Sequence, residues 1–250
     1  MGRVFDGGVT SSPTTARPAA GSPAHTLDAA TWSALTGPHA HFAIGTDRAR
    51  RYPADVAPFA ALESTDDPAA WADLRGLYAT GEVAALAVPA GTAWSPPDGW
   101  EPDGAIPGVQ LVSTAALRSF PDEEAVRLGP DDVAEATDLV ARTEPGPFRP
   151  RTIELGTYLG LRRDGRLVAM AGERLHPDGW TEISAVCTDP AYRRQGLATG
   201  LVRAVADLVR ERGDVPFLHT SAANTRAIRL YLAMGFDLRS EVQFAAVRAV

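Results

Sequence analysis

Apolar residues recur at helical spacing in the second half of the chain. Over residues 197–212, Leu197, Leu201, Val205 and Leu208 fall on one face, and Gly213 supplies the stop. Val133, Ala136, Leu139 and Val140 repeat that spacing over 131–142, and 224–234 predicts a further helix closed by Gly235. Between these lie short apolar runs bounded by turn residues. Residues 158–163 and 166–175 flank Asp164-Gly165, a pair that accepts positive φ and so predicts a hairpin. Pro177-Asp178-Gly179 leads into a strand over 180–188, and further strands are expected at 217–220 and 242–247. The order strand–helix–hairpin–strand–helix–strand–helix–strand predicts an α/β fold on a mixed sheet.

The first half is patterned more weakly. Short helices are expected at 27–35 and 69–78, the latter opened by Asp67-Pro68 in cap and first-turn positions. Residues 83–88, between Gly81 and Pro89, read as a buried strand, and Trp94 to Trp100 as a turn-rich loop. His39-x-His41 with Asp47 could suggest metal ligands, but two strand histidines beside a turn is the reading adopted, and no metal site is expected. A boundary falls at Ser119-Phe120-Pro121-Asp122, after the apolar stretch 109–117. It gives a flexible tail over 1–25, rich in Gly, Pro, Ser and Thr, an α+β unit of unassigned role over 26–118, and a second unit over 119–250.

Composition removes several functions. All 24 basic residues are arginine, against 31 acidic ones, and the net charge is −7. An acidic chain is a poor general nucleic-acid binder, and one without lysine has no P-loop. The single cysteine, Cys187, excludes an intrachain disulfide and a multi-cysteine metal site. No apolar run reaches the ~18 residues of a membrane span, and 1–25 has no signal-type apolar core, so no membrane partner and a cytoplasmic location are expected. Of the net charge, −5 falls in 1–118 (7 Arg, 12 acids) and −2 in 119–250 (17 Arg, 19 acids).

The informative stretch is Asp189-Pro-Ala-Tyr-Arg-Arg-Gln-Gly-Leu-Ala198, between an expected strand and an amphipathic helix. A helix start presents unpaired N–H groups and a partial positive charge, glycine lets the backbone approach a ligand closely, and Arg193 and Arg194 add charge. Together they make an anion site suited to a pyrophosphate. The stretch resembles the acetyl-coenzyme A motif [QR]-x-x-G-x-[GA] of the GNAT acetyltransferases, here Arg193-x-x-Gly196-x-Ala198. Glu182-Ile-Ser-Ala-Val-Cys-Thr-Asp-Pro190 resembles the family's fourth strand. Asn224 to Phe236 resembles its N-x-x-A-x-x-x-Y-x-x-x-G-F helix. The resemblance covers about residues 122–250 and implies a GNAT fold, a mixed central sheet flanked by helices. For the smaller α+β unit before it, the readings are a degenerate GNAT-like unit or a lid over the acceptor site.

The resemblance also implies roles. Backbone groups of Val186, Cys187 and Thr188 would pair with the pantetheine arm, the Val186 N–H holding the acetyl oxygen. Arg193, Arg194, Gln195, Gly196, Leu197 and Ala198 would surround the pyrophosphate, with Thr199 as a further donor and Asn224 on the coenzyme arm. Tyr231 would meet the departing sulfur as acid or hydrogen-bond donor. Glu182 is the candidate base, and Glu173 the reserve. By strand alternation Glu182 and Val186 share a side about 13 Å apart, which favours a bridging water unless a bulge intervenes. Cys187 could suggest an acetyl-cysteine route, but His219 is the one nearby candidate to activate it and has no evident orienting acid, so both read as structural. The expected function is direct transfer of an acetyl group from acetyl-coenzyme A to a primary amine, on a small molecule or a protein, in a ternary complex. Residues 144–157 would serve as the substrate loop. Silent acyl-coenzyme A sensing, a longer acyl chain, an aminoacyl-tRNA acceptor and a homodimer remain open alternatives.

Overall fold

In the computed structural model of the protein, residues 25–90 and 96–250 are described; the expected tail, save His25, and Trp94 and Ser95 of the turn-rich loop lie outside them. After a 3-10 turn at Thr26–Ala29 come α1 (Ala30–Thr36), the short strands β1 (Ile44–Gly45), β2 (Ala49–Arg51) and β3 (Ala60–Leu62), and α2 (Pro68–Arg75). Then follow β4 (Val83–Pro89), β5 (Trp100–Ser113), β6 (Val126–Arg127), α3 (Val133–Thr143), β7 (Tyr158–Arg163), β8 (Arg166–Glu173) and β9 (Trp180–Thr188). The chain closes with α4 (Leu197–Glu211), β10 (Val215–Ser221), α5 (Thr225–Met234) and β11 (Phe236–Ala249). No helix among the described residues is long and apolar enough to cross a membrane.

Local chemistry explains the helix ends. Asp67 caps α2 by accepting from the Ala69 N–H at 2.9 Å, with Pro68 in the first turn. Asn224 caps α5 through the Ala227 N–H, and Gly235 at φ 104 supplies the left-handed residue that ends it. One expected feature is corrected. His39 and His41 stand on a 3-10 turn, Ala40–Phe42, rather than on a strand, because the Phe42 N–H closes onto the His39 carbonyl.

Among the described residues β1–β2–β3 form a small antiparallel sheet, and the other strands form one sheet in the order β4-β11-β5-β10-β9-β8-β7-β6. The β9–β10 pair is parallel and the rest are antiparallel, so the sheet is mixed, as expected. β5 lies between β10 and β11, so strands from both sides of residue 118 join in one sheet. Alternation then assigns faces. Leu111 and Leu218 pack with Leu201, Val205 and Val209 of α4 and with Tyr231 of α5. Their neighbours Val112 and Phe217 point the other way, into a core with Leu27, Leu35, Tyr52 and Val56 of the N-terminal segment. On that same second face α3 covers Tyr158, Met170, Ala185 and Cys187. The N-terminal segment is also hydrogen-bonded down: the Thr152 hydroxyl donates to the Val56 carbonyl at 2.7 Å and the Arg151 N–H to the Asp55 carbonyl at 2.9 Å.

Candidate active site

The site begins where two neighbouring strands part. β9 and β10 pair only over Trp180–Glu182 and Val215–Phe217. Beyond that, β10 continues on β5 and β9 on β8, leaving the β9 backbone from Ile183 onward without a strand partner on its β10 side. β9 also carries a bulge. Its register on β8 runs from Gly172↔Ser184 to Met170↔Cys187, three steps against two, with Ala185 at φ 52 absorbing the extra residue. Val186 therefore packs on the α4 side with Ile183, while Ala185 and Cys187 pack under α3. The bulge corrects one expectation: Glu182 and Val186 face opposite sides of the sheet, since one inserted residue reverses the alternation.

A cleft of about 620 Å³ opens along this unpaired edge. It is lined by Val186, Cys187 and Thr188 from β9, by Arg193, Arg194, Gly196, Leu197, Ala198 and Thr199 at the start of α4, and by Asn224 and Tyr231. Gln195 is the one expected coenzyme residue that is not part of the lining. Arg194 at φ 66 and Gly196 at φ 82 curl the turn, and a side chain at Gly196 would point into open space. The Gly200 N–H makes the first α4 bond, to Gly196, so those of Leu197, Ala198 and Thr199 have no acceptor inside the helix. Asp189 holds the turn from beneath. Its Oδ1 accepts from the Ala191 N–H at 3.0 Å, and its Oδ2 meets Arg142 at 3.2 Å and Arg166 at 3.4 Å. The Ala191 N–H leads these groups in holding its carboxyl below the usual range.

The only acid of this turn is thereby committed elsewhere. Arg193 and Arg194 form no ion pair among the described residues. Neither do Arg226 and Arg229 of α5, which line the same cleft. Three residues apart on a polar helix face, these two look in the sequence like ordinary solvated charge.

Tyr231 is buried and lines the cleft, with no hydrogen-bond partner for its hydroxyl among the described residues. Burial pushes its pKa up to about 12, which suits donating a hydrogen bond to a thiolate better than surrendering the proton outright. Cys187 is buried under α3, and burial raises its thiol to about 11, so it carries little thiolate.

Glu182 is buried on the opposite face, at the inner end of the gap. Its Oε1 lies 3.0 Å from His219 Nδ1, and its Oε2 has no partner among the described residues. Burial works to raise the carboxyl, but His219 first, with Arg174 and the Leu175 backbone behind it, outweighs it and holds the group below its ordinary value. The expectation that His219 lacks an orienting acid is corrected here, because the parallel β9–β10 register brings Glu182 beside it. Glu173 is engaged at both oxygens, by Arg212 at 2.7 Å and by the Thr157 N–H at 3.1 Å. No group of three or more His, Cys, Asp or Glu among the described residues is placed to hold a metal.

Residues 158–245 match the family model described as FR47-like protein. A crystal structure assigned to the GNAT family of acetyltransferases, from Novosphingobium aromaticivorans, superposes with a TM-score of 0.83 at 37% identity, covering 91% of this chain and all of that one. The chain belongs to the GNAT family of acetyltransferases. Among curated relatives of this GNAT protein, N-alpha-acetyltransferase RimI of Mycobacterium tuberculosis is 37% identical over 130 residues, 46% of this chain and 81% of the relative. Mycothiol acetyltransferase of Thermomonospora curvata is 36% identical over 102 residues, 40% of this chain, and the match spans only 32% of that relative.

Proposed function

We propose that this GNAT protein transfers an acetyl group from acetyl-coenzyme A to a primary amine by direct attack. One observation carries the reading: a single cleft joins the arginine-rich start of α4 to the unpaired edge of β9 and to the unpartnered hydroxyl of Tyr231. Those residues fit the co-substrate. The N–H groups left over at the start of α4 and four guanidiniums without acid partners among the described residues match a set of phosphates, and the Val186–Thr188 backbone, with no strand partner on its β10 side, matches an amide-bearing arm. Acetyl-coenzyme A supplies the activated acyl group.

The protein's own residues then have separable tasks. The Val186 N–H is the donor for the oxygen that gains charge on attack. Tyr231 donates to the departing sulfur. Glu182 Oε2 accepts the proton that the amine must lose, directly or through a water, from the face opposite the cleft. Cys187 is left out: a buried, protonated thiol under α3 is a poor nucleophile. The names of the relatives, one an N-alpha-acetyltransferase and one a mycothiol acetyltransferase, make peptide α-amines and small amines the first acceptors to try.

The test is a titration with acetyl-coenzyme A followed by an amine panel scored for free thiol. Saturable binding and amine-dependent thiol release are expected. Binding with no turnover on any amine would favour an acyl-coenzyme A sensor instead.

A further inference from the structure

Behind Glu182 lies a chain of hydrogen bonds that the acetyl-transfer chemistry above does not use. Gln110 of β5 is its pivot. Its Oε1 accepts from Arg239 Nη1 at 2.7 Å, and Arg239 in turn meets Asp28 at 2.6 Å. The Gln110 Nε2 donates to the Leu27 carbonyl at 2.9 Å and lies 2.9 Å from His219 Nε2. A guanidinium can only donate and a carbonyl can only accept. Flipping the amide would therefore set donor against donor at Arg239 and acceptor against acceptor at Leu27. The amide is locked, and its second N–H must point at His219 Nε2. That nitrogen is consequently an acceptor without a proton, and the single proton of His219 sits on Nδ1, facing Glu182 Oε1.

We propose that His219 is a positioning residue for Glu182, locked as the neutral Nδ1–H tautomer by Gln110, so that Oε1 is occupied and Oε2 is the oxygen that takes the proton from the acceptor amine. Resting on the acetyl-transfer reading, it adds the groups that set the base and gives the N-terminal segment a part in the chemistry. Leu27 and Asp28 belong to that segment, and they hold Gln110 and Arg239 in the orientation that fixes the tautomer. The other charged or titratable groups facing Glu182 are Arg174 after β8, Tyr158 of β7 and Tyr52 after β2. None of these donates a hydrogen bond to Oε1. His219 is thus the side chain that restrains the carboxylate.

Side-chain nitrogen NMR on the full chain at neutral pH, with His219 assigned by its loss in His219→Gln, tests the tautomer without any turnover. A protonated Nδ1 and a bare Nε2 are expected; an Nε2–H tautomer or an imidazolium overturns the proposal. The positioning role is tested by the acid limb of kcat/KM on an amine that is acetylated. Removing the donor in His219→Ala should move that limb up by roughly one to two pH units, the size of a hydrogen bond to a charged group. In His219→Gln, whose amide can donate to Oε1 and accept from Gln110, the limb should return toward wild type. A limb that stays in place in His219→Ala overturns the role, even if kcat falls. Acetyl-coenzyme A affinity, which His219 does not contact, serves as the folding control. If no amine is acetylated, carbon NMR of the Glu182 carboxyl reads the same shift, so the acetyl-transfer reading can fail while His219 is still tested.

Discussion

Tyr231 reaches the cleft with its hydroxyl unpaired among the described residues, and nothing in its packing against Phe236 requires that hydroxyl. Tyr231→Phe should therefore fold normally and keep acetyl-coenzyme A affinity, while kcat falls roughly a hundredfold. Steady-state kinetics beside a binding titration separates the two, and equal turnover would remove Tyr231 from the chemistry. Cys187→Ala should retain substantial activity, since the thiol is buried and protonated; complete loss with coenzyme binding intact would restore the covalent route. Single residues that line the cleft were legible in two ways: Arg193 and Gly196 through the chemistry of a helix start, Asn224 and Tyr231 through the resemblance to the family. The Glu182–His219 pair was only half legible. The two residues are 37 apart in the chain, and only the Phe217↔Glu182 register makes them neighbours.

Among the elements, β9 departs most from its sequence reading. Residues 180–188 suggest an uninterrupted strand, and the observed limits agree. Yet Ala185, ordinary by composition, takes φ 52 and turns the second half of the strand over. No local sequence signal marks this bulge, because alanine pays a conformational penalty there that only the surrounding sheet and α3 can enforce. Substituting valine should expose that penalty: a β-branched residue at positive φ is a steric outlier, and the site is buried. Ala185→Val is expected to lose about 1–3 kcal/mol in urea unfolding and to weaken acetyl-coenzyme A binding along with it. A stability loss with unchanged coenzyme affinity would show that the bulge does not shape the cleft. At the start of α4, Gly196→Glu should abolish coenzyme binding by putting a negative charge among the arginines, while Gly196→Ala, which carries the same backbone strain at φ 82 without the charge, serves as the control; unchanged affinity in Gly196→Glu would refute the phosphate assignment.

Across the molecule, the division near residue 119 follows composition but not the sheet. β5 carries exposed Glu101, Pro102, Asp103 and Gly104 before its apolar end, so its sequence has no strand-like alternation, and its pairing with β11 supplies the order that its own residues do not. Deleting residues 1–118 would remove β4 and β5 from the sheet, and a point change is the better probe of how the N-terminal segment is held. His39 offers one. It is buried where that segment meets the sheet, with Nδ1 2.8 Å from the Tyr52 hydroxyl and its ring 4.8 Å from that of His176. Burial first, and His176 second, lower its pKa to about 3, against opposing contributions from the Leu155 backbone and Glu173. In the unfolded chain the group returns to about 6.5. Between those values the unfolded state binds the extra proton, so stability is fully present above pH 6.5 and is lost as pH falls toward 3. The loss between pH 7 and pH 5 should be about 2 kcal/mol. The carboxyls of Glu173 and Glu182, held below their ordinary values, add to it as pH falls into the usual carboxylate range and below. Urea unfolding of wild type and His39→Asn at both pH values separates the contributions. The variant should show most of that difference abolished, and an undiminished loss would mean that another group loosens the N-terminal segment in acid.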